Sequence, residues 1–209
     1  MTGTPNSDLL KVLILNASLK HAPDPSNTEE VANLILGHMR EHAVIDAETV
    51  RLADRTIPVG LKHRESDDDE WPDIGEQIKG ADVVIFATPI WWGHRSSLMQ
   101  RVIERMDAFD EDAHAGRSAL LNKVAGIVIT GSEDGAQAAM AGMMEVLSFM
   151  NFLLPPQCCT YWVGEVGLDP KTDAARRRAN PAVDAMARAT ARNLVQAARM
   201  VRASPFSET

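Results

Sequence analysis

Hydroxyls, amides, one lysine and two adjacent tryptophans are concentrated in three short segments of this 209-residue chain. The first runs Asn16-Ala17-Ser18-Leu19-Lys20 and, after a proline-bearing insert, Ser26-Asn27-Thr28 at the start of an amphipathic stretch. Such donors beside the free N–H groups of a helix start suit a phosphate, because helix N-termini favour anions. They equally suit plain capping, with Glu29 and Glu30 in the first turn. The second segment is Thr88-Pro89-Ile90-Trp91-Trp92-Gly93-His94. The chain has four tryptophans, so two side by side are notable. Two such rings suit a flat conjugated ligand, or they cover a sheet end or a subunit interface. Adjacent side chains of an extended segment point to opposite sides, so both cannot face one ligand. The third segment, Thr130-Gly131-Ser132-Glu133-Asp134-Gly135, has two glycines that permit close backbone approach. Asp134 there also fits a helix cap.

Strands and helices alternate around these segments. Residues 11–16 (KVLILN) and 123–130 (KVAGIVIT) are almost wholly apolar, which marks strands buried on both faces. Residues 82–87 read the same way; 47–52 and 157–162 are weaker strands. Helices are predicted over 28–42, 73–79, 97–109, 135–150 and 181–202. The last has the clearest stripe, Val183, Met186, Ala187, Leu194, Ala197 and Val201, with Thr190 its one polar member. Residues 57–73, with the acidic run 65–70, read as an exposed loop whose carboxylates form a solvated face. Five strands alternating with helices imply parallel strands joined by right-handed crossovers in a three-layer, doubly wound α/β fold. No repeat and no long linker divides the chain, so one domain over 1–209 is expected, its core at about 10–202. In such a sheet the loops after the strands gather at one edge, where ligands bind.

Composition narrows the classes. A net charge of -8 argues against nucleic-acid and acidic-membrane partners. No apolar run approaches the ~20 residues of a bilayer span, and the first residues lack a signal pattern. Cys158 and Cys159 are adjacent, so they form no long-range disulfide, and two cysteines are too few for a metal cage of their own. A cytoplasmic chain without a metal is the expectation. The GxxxxGK[ST] and GxGxxG phosphate motifs and the GxSxG elbow are absent, which disfavours ATP, GTP, Rossmann-type NAD binding and hydrolase chemistry. Met140, Met143, Met144 and Met150 read as core or interface filler.

A phosphate at one end and a flat ring against aromatics and backbone amides describe flavin mononucleotide (FMN). The segments VLILNASLK with SNT, DVVIFATPIWWG, GIVITGSEDGA and PPQCCTYWVGEVG, over roughly residues 10–167, resemble the flavodoxin-like NAD(P)H-dependent FMN reductase family. The resemblance implies a five-stranded parallel sheet of order 2-1-3-4-5 and FMN at its carboxyl edge. It also implies a homodimer or homotetramer. By it, Ser18, Lys20, Ser26, Asn27 and Thr28 hold the phosphate. Pro89, Ile90, Trp91, Trp92 and Gly93 run along the isoalloxazine, and Thr130, Gly131, Glu133, Asp134 and Gly135 lie near its edge. The chain departs from the family where Asn16-Ala17-Ser18 replaces a Gly-Ser turn and where residues 21–25 carry two prolines. The implied activity is hydride transfer from NAD(P)H through FMN to a small-molecule acceptor such as a quinone or free flavin. His94 is a candidate proton donor, since imidazole titrates near neutrality; it equally suits an ordinary surface position. The alternatives are a flavodoxin-type electron carrier with protein redox partners, which the absence of a T-x-T-G-x-T loop disfavours, and a flavin sensor.

Overall fold

The computed structural model describes residues 8–109, 118–132 and 134–207. Strand β1 (Leu9–Asn16) leads to helix α1 (Asn27–Met39), strand β2 (Val44–Arg51) and helix α2 (Trp71–Gly80). Strand β3 (Val83–Trp91), a two-residue β4 (His94–Arg95) and helix α3 (Ser97–Arg105) follow. Then come β5 (Val124–Gly131), α4 (Ala136–Phe149), β6 (Cys159–Val163), α5 (Pro170–Arg178) and α6 (Pro181–Ala203). The long strands pair in the order β2-β1-β3-β5-β6, all parallel. Counting those five alone, this is the expected 2-1-3-4-5 arrangement; β4 is an addition, antiparallel to the end of β3.

Alternation along the strands sorts the core into two layers. Leu13, Leu15, Val84, Phe86, Ile127 and Ile129 pack with Trp71, Ile74 and Ile78 of α2, Met99 and Val102 of α3, and Met143 and Leu147 of α4. Val12, Ile14, Val83, Ile85 and Val128 point the other way, against Val31, Ile35 and Met39 of α1 and Ala187, Ala191 and Leu194 of α6. Met143 is fully buried, and Met140, Met144 and Met150 pack partly buried against the first layer, as filler should. Thr190, the polar member of the α6 stripe, is buried because its hydroxyl donates to the Gln157 carbonyl at 2.9 Å and lies 2.9 Å from the Thr160 hydroxyl.

Three expectations change. First, the segment after residue 87 is not an open loop. β3 continues to Trp91 and doubles back through Trp92-Gly93, with Ile90 opposite Arg95 and Trp91 opposite His94. Trp92 (φ 50°) and Gly93 (φ 79°) both have positive φ, as the two-residue turns that match strand twist require. Second, α5 has no counterpart in the predicted elements. Its sequence, PKTDAARRR, has no apolar period; it is started by Asp169, whose carboxylate accepts from the N–H groups of Lys171 and Thr172, and by Pro170. Third, the acidic run at 65–70 is not wholly solvated. Asp69 is 3% exposed and paired with the fully buried Arg105 at 2.9 Å. The Asp69 carboxylate also accepts from the N–H groups of Glu65 and Trp71, while Arg105 donates to the carbonyls of Pro58 and Lys62. Burial alone would raise the Asp69 carboxyl pKa, but those backbone N–H groups and the guanidinium together hold it below the usual range.

Candidate functional site

Each site segment takes in the carboxyl end of a parallel strand, so all meet at one edge of the sheet. Asn16, fully buried at the end of β1, turns the chain there. Its Oδ1 accepts from the Ser18 N–H at 3.1 Å, and its Nδ2 donates to Glu29 at 2.8 Å. The Ser18 hydroxyl accepts from the Lys20 N–H at 3.3 Å, and the Lys20 ammonium reaches the Pro25 carbonyl at 3.2 Å, just before α1. Ser26 caps α1, its hydroxyl accepting from the Glu29 N–H at 3.1 Å and its carbonyl from the Glu30 N–H. The N–H groups of Asn27 and Thr28 remain, since no helical carbonyl lies one turn behind them.

Hydroxyl bonds tie the three segments together. Thr28 of α1 and Thr130 of β5 meet oxygen to oxygen at 2.7 Å, both buried. Ser96, fully buried, caps α3 by accepting from the Met99 N–H. Its hydroxyl donates to the Ala17 carbonyl at 2.9 Å, and its own N–H donates to the Thr88 hydroxyl at 2.9 Å. The hairpin is seated by a glycine contact. Gly135 adopts φ +117°, and a Cβ there would lie 2.5 Å from the Gly93 Cα, so only backbone can meet backbone. A Cβ on Gly131 would similarly come within 3.0 Å of the Ile90 side chain.

Of the sequence-predicted residues, Ser18, Lys20, Asn27, Thr28, Pro89, Thr130 and Gly131 line one cavity of about 210 Å3. Ser26 lies behind it as the cap, 4% exposed, and the Ile90 side chain faces the core. Trp91 and Trp92 stand on the hairpin outside the cavity, 47% and 84% exposed. His94, opposite Trp91, and Asp134 are also exposed. Glu133 falls outside the described residues. Sequence reasoning missed Ser96 and a fourth wall, made by Glu165 and Leu168 after β6 and by Pro170 and Asp173 of α5. The Asp-Pro cap at 169–170 was the one signal that could have exposed it.

Neither the arginines of α5 nor the cysteines add a reactive or anion-binding group. Arg176 pairs with Glu165, and Arg177 and Arg178 with Glu30, so none is an open anion site. Burial pushes the Cys159 thiol up to about 12 and raises Cys158 as well, so neither supplies a thiolate near neutrality. Among the described residues no group of three or more His, Cys, Asp and Glu could hold a metal, and no helix is long and apolar enough to cross a membrane.

A doubly wound parallel sheet with a hydroxyl- and amide-lined cavity at its carboxyl edge defines a flavodoxin-like protein. More narrowly, the chain belongs to the NADPH-dependent FMN reductase family, whose model matches residues 10–165. It is similar to the 8-demethyl-8-aminoriboflavin-5'-phosphate synthase of Streptomyces davaonensis, 29% identical over 95% of this chain and 80% of that protein. It is also similar to the divalent metal cation transporter MntH of Mycobacterium bovis, 34% identical over 79% of this chain. This chain spans only 25% of the transporter's length, so that likeness carries nothing of transport. The crystal structure of RosB with bound 8-demethyl-8-formylriboflavin-5'-phosphate superposes with a TM-score of 0.84 at 28% identity, covering 94% of this chain and 82% of that one.

Proposed function

We propose that this chain binds FMN across the carboxyl edge of its sheet and acts as an FMN-dependent oxidoreductase. NAD(P)H would be the donor, and a quinone, free flavin or similar aromatic the acceptor. The observation that carries the reading is the fastening of the β1, β3 and β5 segments into one wall through Ser96, Thr28–Thr130 and Gly93–Gly135. A phosphate suits this wall. The N–H groups of Asn27 and Thr28 open the positive end of α1, Lys20 lies beside them, and the Glu29 and Glu30 N–H groups are already taken by Ser26. The cavity is smaller than the roughly 300–1,000 Å3 that encloses a drug-sized ligand. It suits the phosphate and chain of FMN, with the ring lying outward along Pro89 and the Trp91–Trp92 hairpin. When bound, FMN supplies the hydride chemistry itself. This chain's part is to hold the phosphate, set the ring against the hairpin and keep one face open to donor and acceptor in turn. A second copy of the chain would complete the open side in a homodimer or homotetramer. His94, exposed on the hairpin opposite Trp91, would be the proton donor to a reduced acceptor.

The test is an absorbance spectrum after excess FMN is added and the protein desalted. Flavin bands that persist and are bleached anaerobically by NADPH or NADH support the oxidoreductase. Retained bands that neither nicotinamide bleaches favour an electron carrier, and no retained flavin, with no affinity by titration, sinks the reading.

A second reading rests on the likeness to the aminoriboflavin-phosphate synthase and RosB, which spans nearly the whole chain. The bound flavin phosphate would then be the compound altered rather than a lasting cofactor. Mass spectrometry of flavin extracted after turnover separates the two, since a cofactor returns with its mass unchanged.

A further inference from the structure

The wall that sequence reasoning missed contains a carboxylate in an unexpected place. Asp173, 8% exposed, lines the same cavity as Ser18, Lys20, Asn27 and Thr28, where an anion is proposed to sit. Three elements meet on this one group. The Trp162 indole N–H of β6 donates to its Oδ1 at 3.0 Å, and the Asn27 amide of α1 donates to its Oδ2 at 3.1 Å. Behind it, Nη1 of the buried Arg177, which has no hydrogen-bond partner of its own, lies 3.8 Å from Oδ2. Gly164 makes the room: a Cβ there would lie 2.0 Å from Oδ1. The carboxylate is therefore held from several sides, at a position where α5 docks on α1 across 146 residues of sequence.

An ionised carboxylate only accepts hydrogen bonds. Facing Asn27, it decides which end of that amide points toward it: Nδ2 gives one hydrogen to Asp173 and keeps the other, with Oδ1 turned away. Without it, the half-exposed amide is free to flip and to present its oxygen to an anion. Resting on the FMN reading above, we propose that Asp173 is the positioning residue that orients Asn27 as a donor to the flavin phosphate, with Arg177 offsetting its charge. It acts through Asn27 and not by touching the ligand. On this account Asp173 makes the site prefer a phosphorylated flavin over an unphosphorylated one.

The experiment is a set of fluorescence titrations with FMN and with riboflavin, which lacks the phosphate, on wild type, D173A, N27A and the double variant. The expected result is a loss of about tenfold in FMN affinity for D173A, the size of one hydrogen bond to a charged group. Riboflavin affinity should be unchanged, and D173A should add nothing further once Asn27 is gone. Equal losses for both flavins, or a D173A effect that persists in the N27A background, overturn the proposal, since a structural or purely electrostatic role gives those patterns. If D173A loses its near-ultraviolet circular dichroism, the near-isosteric D173L, which fills the space but has no acceptor for the Asn27 amide, carries the same comparison. A wild type that binds FMN no more tightly than riboflavin refutes the phosphate reading itself, which is distinct from a wild type that prefers FMN and a D173A that keeps the preference.

Discussion

Two neighbouring parts of the carboxyl edge are built on opposite terms. The wall around Thr28, Thr88, Ser96 and Thr130 is closed: each is at most 3% exposed, and each hydroxyl has a partner. The hairpin beside it is open, with Trp91 and Trp92 facing outward and Trp92 in a left-handed conformation that large residues seldom adopt. The wall is organised before any ligand arrives, which suits the small, charged end of a ligand whose hydrogen bonds need fixed directions. The hairpin leaves apolar area uncovered, which suits a flat ring or a second surface that supplies the missing contact. Stability is therefore expected to reside in the wall, and ring affinity in the hairpin.

The loop from Arg55 to Glu70 sharpens this contrast, because it is fastened by buried charge instead of hydroxyls. Asp69→Ala should be the most destabilising single change, about 3–5 kcal/mol by chemical denaturation, since it leaves Arg105 buried without its counter-charge. The same pair predicts a pH dependence. Asp69 is held below its unfolded value of about 3.9, so its contribution is complete above that pH and is lost as pH falls through the lower folded value. Asp69→Asn should flatten that part of the acid-stability curve, and an unaltered curve would refute this. Gly135→Ala comes next, at about 2–3 kcal/mol, from the strained φ and the contact with Gly93. It should also shift tryptophan emission as the hairpin is displaced; wild-type stability and emission together would mean the glycine contact is not the hairpin's seat. Ser96→Ala should cost about 2 kcal/mol, from one lost cap and an orphaned Ala17 carbonyl. Trp92→Ala should change stability by less than about 0.5 kcal/mol, as surface positions do, yet weaken FMN binding about tenfold. Similar stability losses in Ser96→Ala and Trp92→Ala would erase the proposed division.

Much of this architecture could be read along the chain. The apolar runs in β1 and β5 leave no polar face to expose, so they belong inside a covered sheet, and helices must follow them. Once parallel strands are inferred, their following segments share an edge by geometry alone. That logic located Ser18, Lys20, Asn27, Thr28, Pro89, Thr130 and Gly131, which do line one cavity. The extension of β3 through Trp91 was hidden because Pro89 resembles a strand stop. Pro89 nevertheless pairs in register with Thr130, so the strand continues past it. Asp69 was hidden inside an acidic run, because nothing local says which of several carboxylates will meet an arginine on α3.

Local order thus determines the alternation of elements, the caps at Ser26, Ser96 and Asp169, and the faces that must be buried, because each depends on neighbours within a turn or a strand. Which distant groups meet is decided only by packing. Asn27 with Asp173, Thr28 with Thr130 and Gly93 with Gly135 are partners because the sheet order and crossovers bring their elements to one edge. Hydrogen bonds and backbone contacts act over a few ångströms, and no spacing along the chain encodes that proximity.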